Sequence, residues 1–177
     1  LNDSLTYYLE KANDDNLSIS IKRKLNYKAL EIVQKQPNDS SSRASLFKVA
    51  NRFFNINDWE SFKIVSKDVL QKALEKKDTI FIAKSYSYIG DFYSSQGNSD
   101  SAYVYYYKAE KLYSLFNDDL NLARTLLNKA LLQFNESDFL GSERAVIKAL
   151  RAVKGRNSND IVYDSNNLLG IIYNELE

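Results

Sequence analysis

The side chains able to do chemistry here are carboxylates, amides, hydroxyls and cations, because the sequence has no His, no Cys and no Met. That excludes Ser-His-Asp and Cys-His nucleophile systems, the usual zinc sites, disulfides and thiolate redox chemistry. Carboxylate catalysis without a metal, a hard-cation site and simple binding stay open. Paired carboxylates occur at Asp14/Asp15 and Asp118/Asp119, but both pairs stand where helices should start, and interaction with the helix dipole accounts for them. The stretch DSNNLLGIIYNE (164–175) has the outline of a calcium loop, yet Leu168 takes a ligand position and Gly170 is displaced. Phosphate-binding glycine loops, a dinucleotide fingerprint and a nucleophile elbow are all missing. The sequence therefore predicts no enzyme, no cofactor and no metal. With 24 Lys and Arg against 23 Asp and Glu, the net charge is +1, which argues against direct nucleic-acid contact by this segment. Lys22-Arg23-Lys24 and the group Lys148, Arg151, Lys154 and Arg156 read as solvated faces, the second beside a helix C-terminus. The Asn-x-Ser sites at Asn2, Asn16, Asn38 and Asn135 read as helix punctuation.

The elements that must position these groups are helices. The chain has 177 residues, enough for one domain, and only five Gly and one Pro, Pro37. Sheets need many turns, and turns need Gly and Pro, so the composition points to an all-α fold. No apolar run is long enough to span a membrane. With no signal-peptide pattern and Leu at residue 1, the chain reads as a processed protein or an excised fragment, and its compartment stays open between cytoplasm and periplasm.

Sliding the sequence by forty residues aligns it with itself. Ala50, Gly90, Ala130 and Gly170 are all small; Phe53, Tyr93, Gln133 and Tyr173 follow three residues on. A second column runs Ala29, Val69, Ala109 and Ala149, and the joins carry Asn38, Asp78, Asp118 and Ser158, all good N-caps. This register gives a single solenoid of units 1–37, 38–77, 78–117, 118–157 and an incomplete 158–177. Polar Asn/Asp/Ser breaks place nine helices at 3–12, 16–35, 42–55, 58–76, 79–96, 99–115, 119–135, 138–154 and 159–176.

Tyr86, Ile89-Gly90, Tyr93, Gly97, Ala102, Tyr106 and Ala109 together resemble the tetratricopeptide repeat (TPR), and the other units resemble it more loosely. The resemblance implies a right-handed superhelix of antiparallel helix pairs, whose first helices line a concave groove that binds a peptide or protein. It places in that groove Phe47, Asn51, Phe54 and Asn55; then Lys84, Ser87, Asp91 and Ser94; then Arg124, Leu127, Leu131, Phe134 and Asn135; then Asn167 and Ile171. The carboxylate clamp of chaperone-binding TPRs is not reproduced, since Phe47 and Tyr88 stand where Lys and Asn would be wanted. The period is forty rather than about thirty-four, and the proline that usually closes the second helix is absent. Longer repeats of this kind resemble those of bacterial regulators joined to a histidine kinase or a helix-turn-helix output.

Of the tyrosines at 103, 105, 106 and 107, Tyr106 belongs to the packing column, Tyr103 and Tyr107 are expected to pack on the next layer, and Tyr105 to be the more exposed. Leu168, Leu169, Ile172 and Tyr173 form an apolar stripe on the last helix, 159–176, through which the chain could form a homo-oligomer. The leading expectation is a non-catalytic binding module, the sensor or interaction segment of a bacterial signal-transduction or transcription regulator. A structural scaffold or oligomerisation module without a regulated ligand is the alternative.

Overall fold

A computed structural model describes the backbone of residues 2–176 and the side chains of residues 4–176. Among the described residues there are nine helices and no strand: α1 (Asn2–Lys11), α2 (Ile19–Gln34), α3 (Ser40–Asn55), α4 (Trp59–Glu75), α5 (Thr79–Ser95), α6 (Ser99–Phe116), α7 (Asp119–Asn135), α8 (Phe139–Ala152) and α9 (Asn159–Leu176). Odd-numbered helices are the first helices of the pairs, and even-numbered ones the second. The chain forms two compact units, Leu1–Ser85 and Tyr86–Glu177, the boundary falling inside α5.

Five of the eight joins between the described helices share one design. Asn57, Lys77, Gly97, Asn117 and Ser137, spaced twenty residues apart, all have φ between 54° and 68°. The next residue in each case, Asp58, Asp78, Asn98, Asp118 or Asp138, donates its backbone N–H to the carbonyl five residues back, at 2.8–3.0 Å. Its side chain accepts from the N–H three residues on, at 2.9–3.4 Å. One residue thus closes the preceding helix in a Schellman turn and caps the following one. At these five joins no residue is spent on a free loop, which helps so few Gly and Pro to suffice.

Two helix starts, those of α2 and α3, differ from the sequence expectation by two residues or more. Helix α2 starts at Ile19 rather than residue 16, because Ser18 is its cap. Helix α3 is capped by Asp39, whose Oδ1 accepts from the Ser42 N–H at 2.8 Å, and not by Asn38. Asn38 instead bridges two helices: its Nδ2 donates to the Lys72 carbonyl at 3.0 Å, and its Oδ1 accepts from Arg43 at 2.8 Å.

Packing within each unit follows the forty-residue columns. Ala29, Val69, Ala109 and Ala149 are all 0% exposed, so each second helix lays a small side chain against its partner. In unit 1, Leu46, Val49, Ala50 and Phe53 of α3 and Phe62, Val65, Val69 and Ala73 of α4 are buried. In unit 2, Gly90 of α5 faces the ring of Tyr106 of α6. Leu127 and Ala130 of α7, Ala145 and Val146 of α8, and Leu168 and Ile172 of α9 form one cluster. Leu126, Ala149, Val153 and Ile161 extend the core toward the other end of the same helices.

Polar side chains add a second set of cross-repeat ties. In unit 1, Arg23 meets the cap Asp58 at 2.7 Å, and Arg43 meets the cap Asp78 at 2.6 Å. In unit 2, Arg124 meets Asp160 at 2.6 Å and Arg156 pairs with Asp119. Arg156 is therefore engaged in an ion pair, although the sequence reads it as part of a solvated face.

Candidate functional site

The candidate groove positions all lie on first helices, and each unit is described separately. In unit 1, Asn51 and Asn55 are exposed on α3. Phe54 is 39% exposed and stands edge-on to Trp59 and Phe62, with centroids 5.1 and 5.3 Å away. Phe47 is not a groove residue. It is 1% exposed, its ring stacks on Phe81 of α5 at 5.7 Å, and the Lys84 ammonium lies 4.7 Å from its centroid.

In unit 2, Ser94, Arg124, Leu131, Asn135, Asn167 and Ile171 are exposed, while Ser87, Asp91 and Phe134 are half-buried. Phe134 packs on Phe139 at 5.4 Å, repeating eighty residues on the contact of Phe54 with Trp59. Both aromatics staple the end of a first helix to the start of its second helix, so neither is a free ligand pocket. Leu127 is 7% exposed and belongs to the core cluster, so it too leaves the groove set. Phe47, Ser87, Leu127 and Asn167 share one column. Where the following first helix is packed beside it, that column faces the helix: Phe47 meets Phe81, Ser87 lies 3.2 Å from Thr125, and Leu127 clusters with Leu168.

The tyrosines of α6 invert the expected order of exposure, although Tyr103 and Tyr107 do meet Lys129 of α7 in the next layer. Tyr105 is half-buried and stacks on Tyr93 at 5.5 Å, tilted by 12°. Tyr103 and Tyr107 are the exposed ones, at 40% and 47%. Residues 105 and 93 both face the α5–α6 seam, whereas 103 and 107 fall about 200° round the helix from 105.

The distinctive chemistry of the unit 2 first-helix face is at Asp91. Its Oδ1 accepts from the Tyr106 hydroxyl at 2.8 Å and from Asn128 Nδ2 at 3.1 Å. Its Oδ2 takes no hydrogen bond among the described residues. Burial pushes the carboxyl up to about 6 from an ordinary 3.8, although both hydrogen bonds pull the other way. The same network raises the Tyr106 phenol, first through burial and then through the Asp91 charge. Burial likewise raises the Tyr113 phenol. Asn128 and Tyr106 were not among the sequence-derived groove residues. The separation of 37 residues between Asp91 and Asn128, close to that of the other cross-repeat ties, is the signal that could have found the first.

Because the folded carboxyl titrates above its unfolded value of 3.8, the folded state holds more protons between about pH 4 and about pH 6. Stability contributed by Asp91 is present below that window and falls as pH rises through it. Asp91→Asn keeps the acceptor for Tyr106 and removes the charge. It should flatten that slope and raise stability near pH 7 by on the order of 1–2 kcal/mol, allowing for the open side of the site. Urea melts at about pH 4 and about pH 7 check this; an unchanged slope counts against a strained carboxylate.

No helix among the described residues is long and apolar enough to cross a membrane, and no group of three or more Asp or Glu side chains among them is arranged to hold a metal.

The fold defines the class of protein: an all-α helical repeat of antiparallel helix pairs, TPR-like in its pairing. No protein-family model matches the sequence, and no curated protein is similar to it. Solved structures are similar. The crystal structure of BtubC (BKLC) from P. vanneervenii superposes with a TM-score of 0.73 over 97% of this chain and 81% of that one, at 14% identity. RapI in its apo form superposes with a TM-score of 0.78 over 96% of this chain, at 16% identity. This chain spans 46% of RapI. At such identities the likeness establishes the fold.

Proposed function

We propose that this chain is a non-catalytic module that binds a peptide or protein segment on its first-helix face, and that it is the sensor or interaction segment of a bacterial signal-transduction or transcription regulator. The observation that carries the binding reading is Asp91. Its half-buried carboxylate stands on the first-helix face of α5 with one oxygen engaged by Tyr106 and Asn128 and the other taking no hydrogen bond among the described residues. Oδ2 is placed to accept from a backbone N–H or a cationic side chain of a ligand. Exposed Leu131 offers apolar contact on the adjacent helix, and Ser94 and Asn135 supply further donors and acceptors. The regulator role rests on the forty-residue period and its resemblance to the longer repeats of bacterial regulators; the fold shared with RapI supports a helical repeat that binds protein.

The test is selection from a random peptide library followed by titration. Asp91→Asn and Leu131→Glu are each expected to weaken selected peptides about tenfold or more, or about 1.4 kcal/mol. Peptides indifferent to both substitutions would remove this face from consideration.

One observation favours the scaffold reading. Helix α9 leaves Tyr163, Ile171 and Leu176 exposed, and nothing lies within 4 Å of where a Cβ would stand on Gly170. Concentration-dependent dimerisation in sedimentation, abolished by Ile171→Glu, would support a homo-oligomer through 159–176 in place of a regulated ligand.

A further inference from the structure

On the second-helix side of unit 2, α6 and α8 flank a cleft of about 440 Å³. Its α8 wall carries Arg144, Lys148 and Arg151, one stripe at spacings of four and three. Its α6 wall carries Tyr103 and Glu110. Between them Lys129 of α7 rises from the floor, 7% exposed. The Lys129 ammonium donates to Glu110 at 2.5 Å and lies 4.7 Å from the Tyr103 ring centroid and 5.8 Å from that of Tyr107.

Four cations thus meet a single carboxylate, and that carboxylate is already committed to Lys129. Elsewhere in unit 2, Arg124 and Arg156 have acids of their own. Arg144, Lys148 and Arg151 have no ion-pair partner among the described residues; Arg144 Nε donates only to the Leu140 carbonyl, at 3.1 Å. Like charges three and four apart on one helix repel. The C-terminal dipole of α8 compensates Arg151, but its effect fades within a turn and does not reach Lys148 or Arg144. Nor does it explain a nearly buried lysine at the floor.

We propose that this cleft binds an acidic peptide segment, with carboxylates of the partner seated on Arg144, Lys148 and Arg151. Arg144 and Lys148 are about 6 Å apart along the axis of α8. Alternate side chains of an extended peptide are about 6.6 Å apart. Acidic residues in alternate positions therefore match the stripe, and the guanidiniums can hold a carboxylate by two parallel bonds. A net charge of +1 on the whole chain supplies little long-range field for a polyanion such as nucleic acid. The site is on the opposite helix layer from Asp91 and does not depend on the first-helix face.

The experiment is fluorescence anisotropy at low salt with a labelled peptide alternating Glu and Ser, its Gln-Ser counterpart, and a labelled oligo-dT. Wild type should bind the Glu peptide at least about tenfold tighter than the Gln peptide and the oligonucleotide. Lys148→Glu with Arg151→Glu should abolish that preference, while Lys154→Glu, exposed and outside the cleft, should keep it. Asp91→Asn should leave it unchanged. The three cleft cations are exposed, and circular dichroism melts of the variants confirm their folding. Absence of wild-type preference, equal loss in the Lys154 variant, or tighter binding of oligo-dT would each overturn the proposal; the wild-type comparison needs no variant at all.

Discussion

Arg43→Ala should lower the unfolding free energy by about 3 kcal/mol, the largest single-residue effect expected in unit 1. Arg43 is 3% exposed. Its guanidinium donates to Asp78 Oδ2 at 2.6 Å, to Asn38 Oδ1 at 2.8 Å and to Ser40 Oγ at 3.1 Å, and lies 5.2 Å from the Phe81 ring centroid. It therefore ties the start of α3 to the cap of α5 and, through Asn38, to the end of α4. Truncation leaves a cavity and strips a charged partner from Asp78, which is itself largely buried. Arg43→Lys keeps the charge but cannot reach several acceptors at once, so it should recover less than half of the loss. Urea titration of both variants measures this. A loss below about 1 kcal/mol for the alanine would mean that the pair behaves like an exposed one.

Gly90→Leu and Gly170→Ala should move stability in opposite directions, although the two glycines occupy one column. A Cβ on Gly90 would stand 2.6 Å from two atoms of the Tyr106 ring. That ring cannot swing aside freely, because its hydroxyl is held by Asp91 at 2.8 Å. Overpacking there should cost about 3 kcal/mol, the upper end for a well-packed contact. Nothing lies within 4 Å of a Cβ on Gly170, which is exposed inside α9. Alanine there only removes the helix penalty of glycine and should stabilise by up to about 1 kcal/mol. Thermal melts of the two variants side by side decide the matter; a shared sign would break the link between register and contact.

The helices and their register were legible in the sequence because both are written locally. Ala50, Gly90 and Ala130, forty positions apart, mark where helices touch, while Gly170 in the same column lies open, and Asn/Asp/Ser joins mark where helices end. The candidate site was less legible. Whether a side chain on a first helix faces solvent depends on the helix packed beside it, and that is a tertiary property. So Phe47 and Leu127 were absorbed by α5 and α9, whereas Asn167, in the same column, stayed exposed. Tyr105 and Tyr103 exchanged roles for the same reason: α5 presents Tyr86 and Tyr93 to one side of α6 only. Arg43 and Lys129 escaped notice because charged residues are expected outside. A signal was present for the first. Arg23 with Asp58 and Arg43 with Asp78 are both separated by 35 residues, twenty apart in the chain.

The fused joint that ends one helix and starts the next also bears on how the chain folds. Each of the five fused turns is specified by residues within one helical turn of it, and the cross-helix bonds from Arg23, Arg43 and Arg52 span only 35–43 residues. Loop closure is therefore short everywhere, and no distant segment must be found before structure can grow. A helical hairpin can nucleate at any of the five joints and propagate to its neighbours, as in a one-dimensional array. Folding should be fast, in the microsecond-to-millisecond range of low-contact-order helical proteins. Its route should follow whichever joint is locally strongest, so that exchanging joint residues would redirect the order of assembly while leaving the native contacts unchanged.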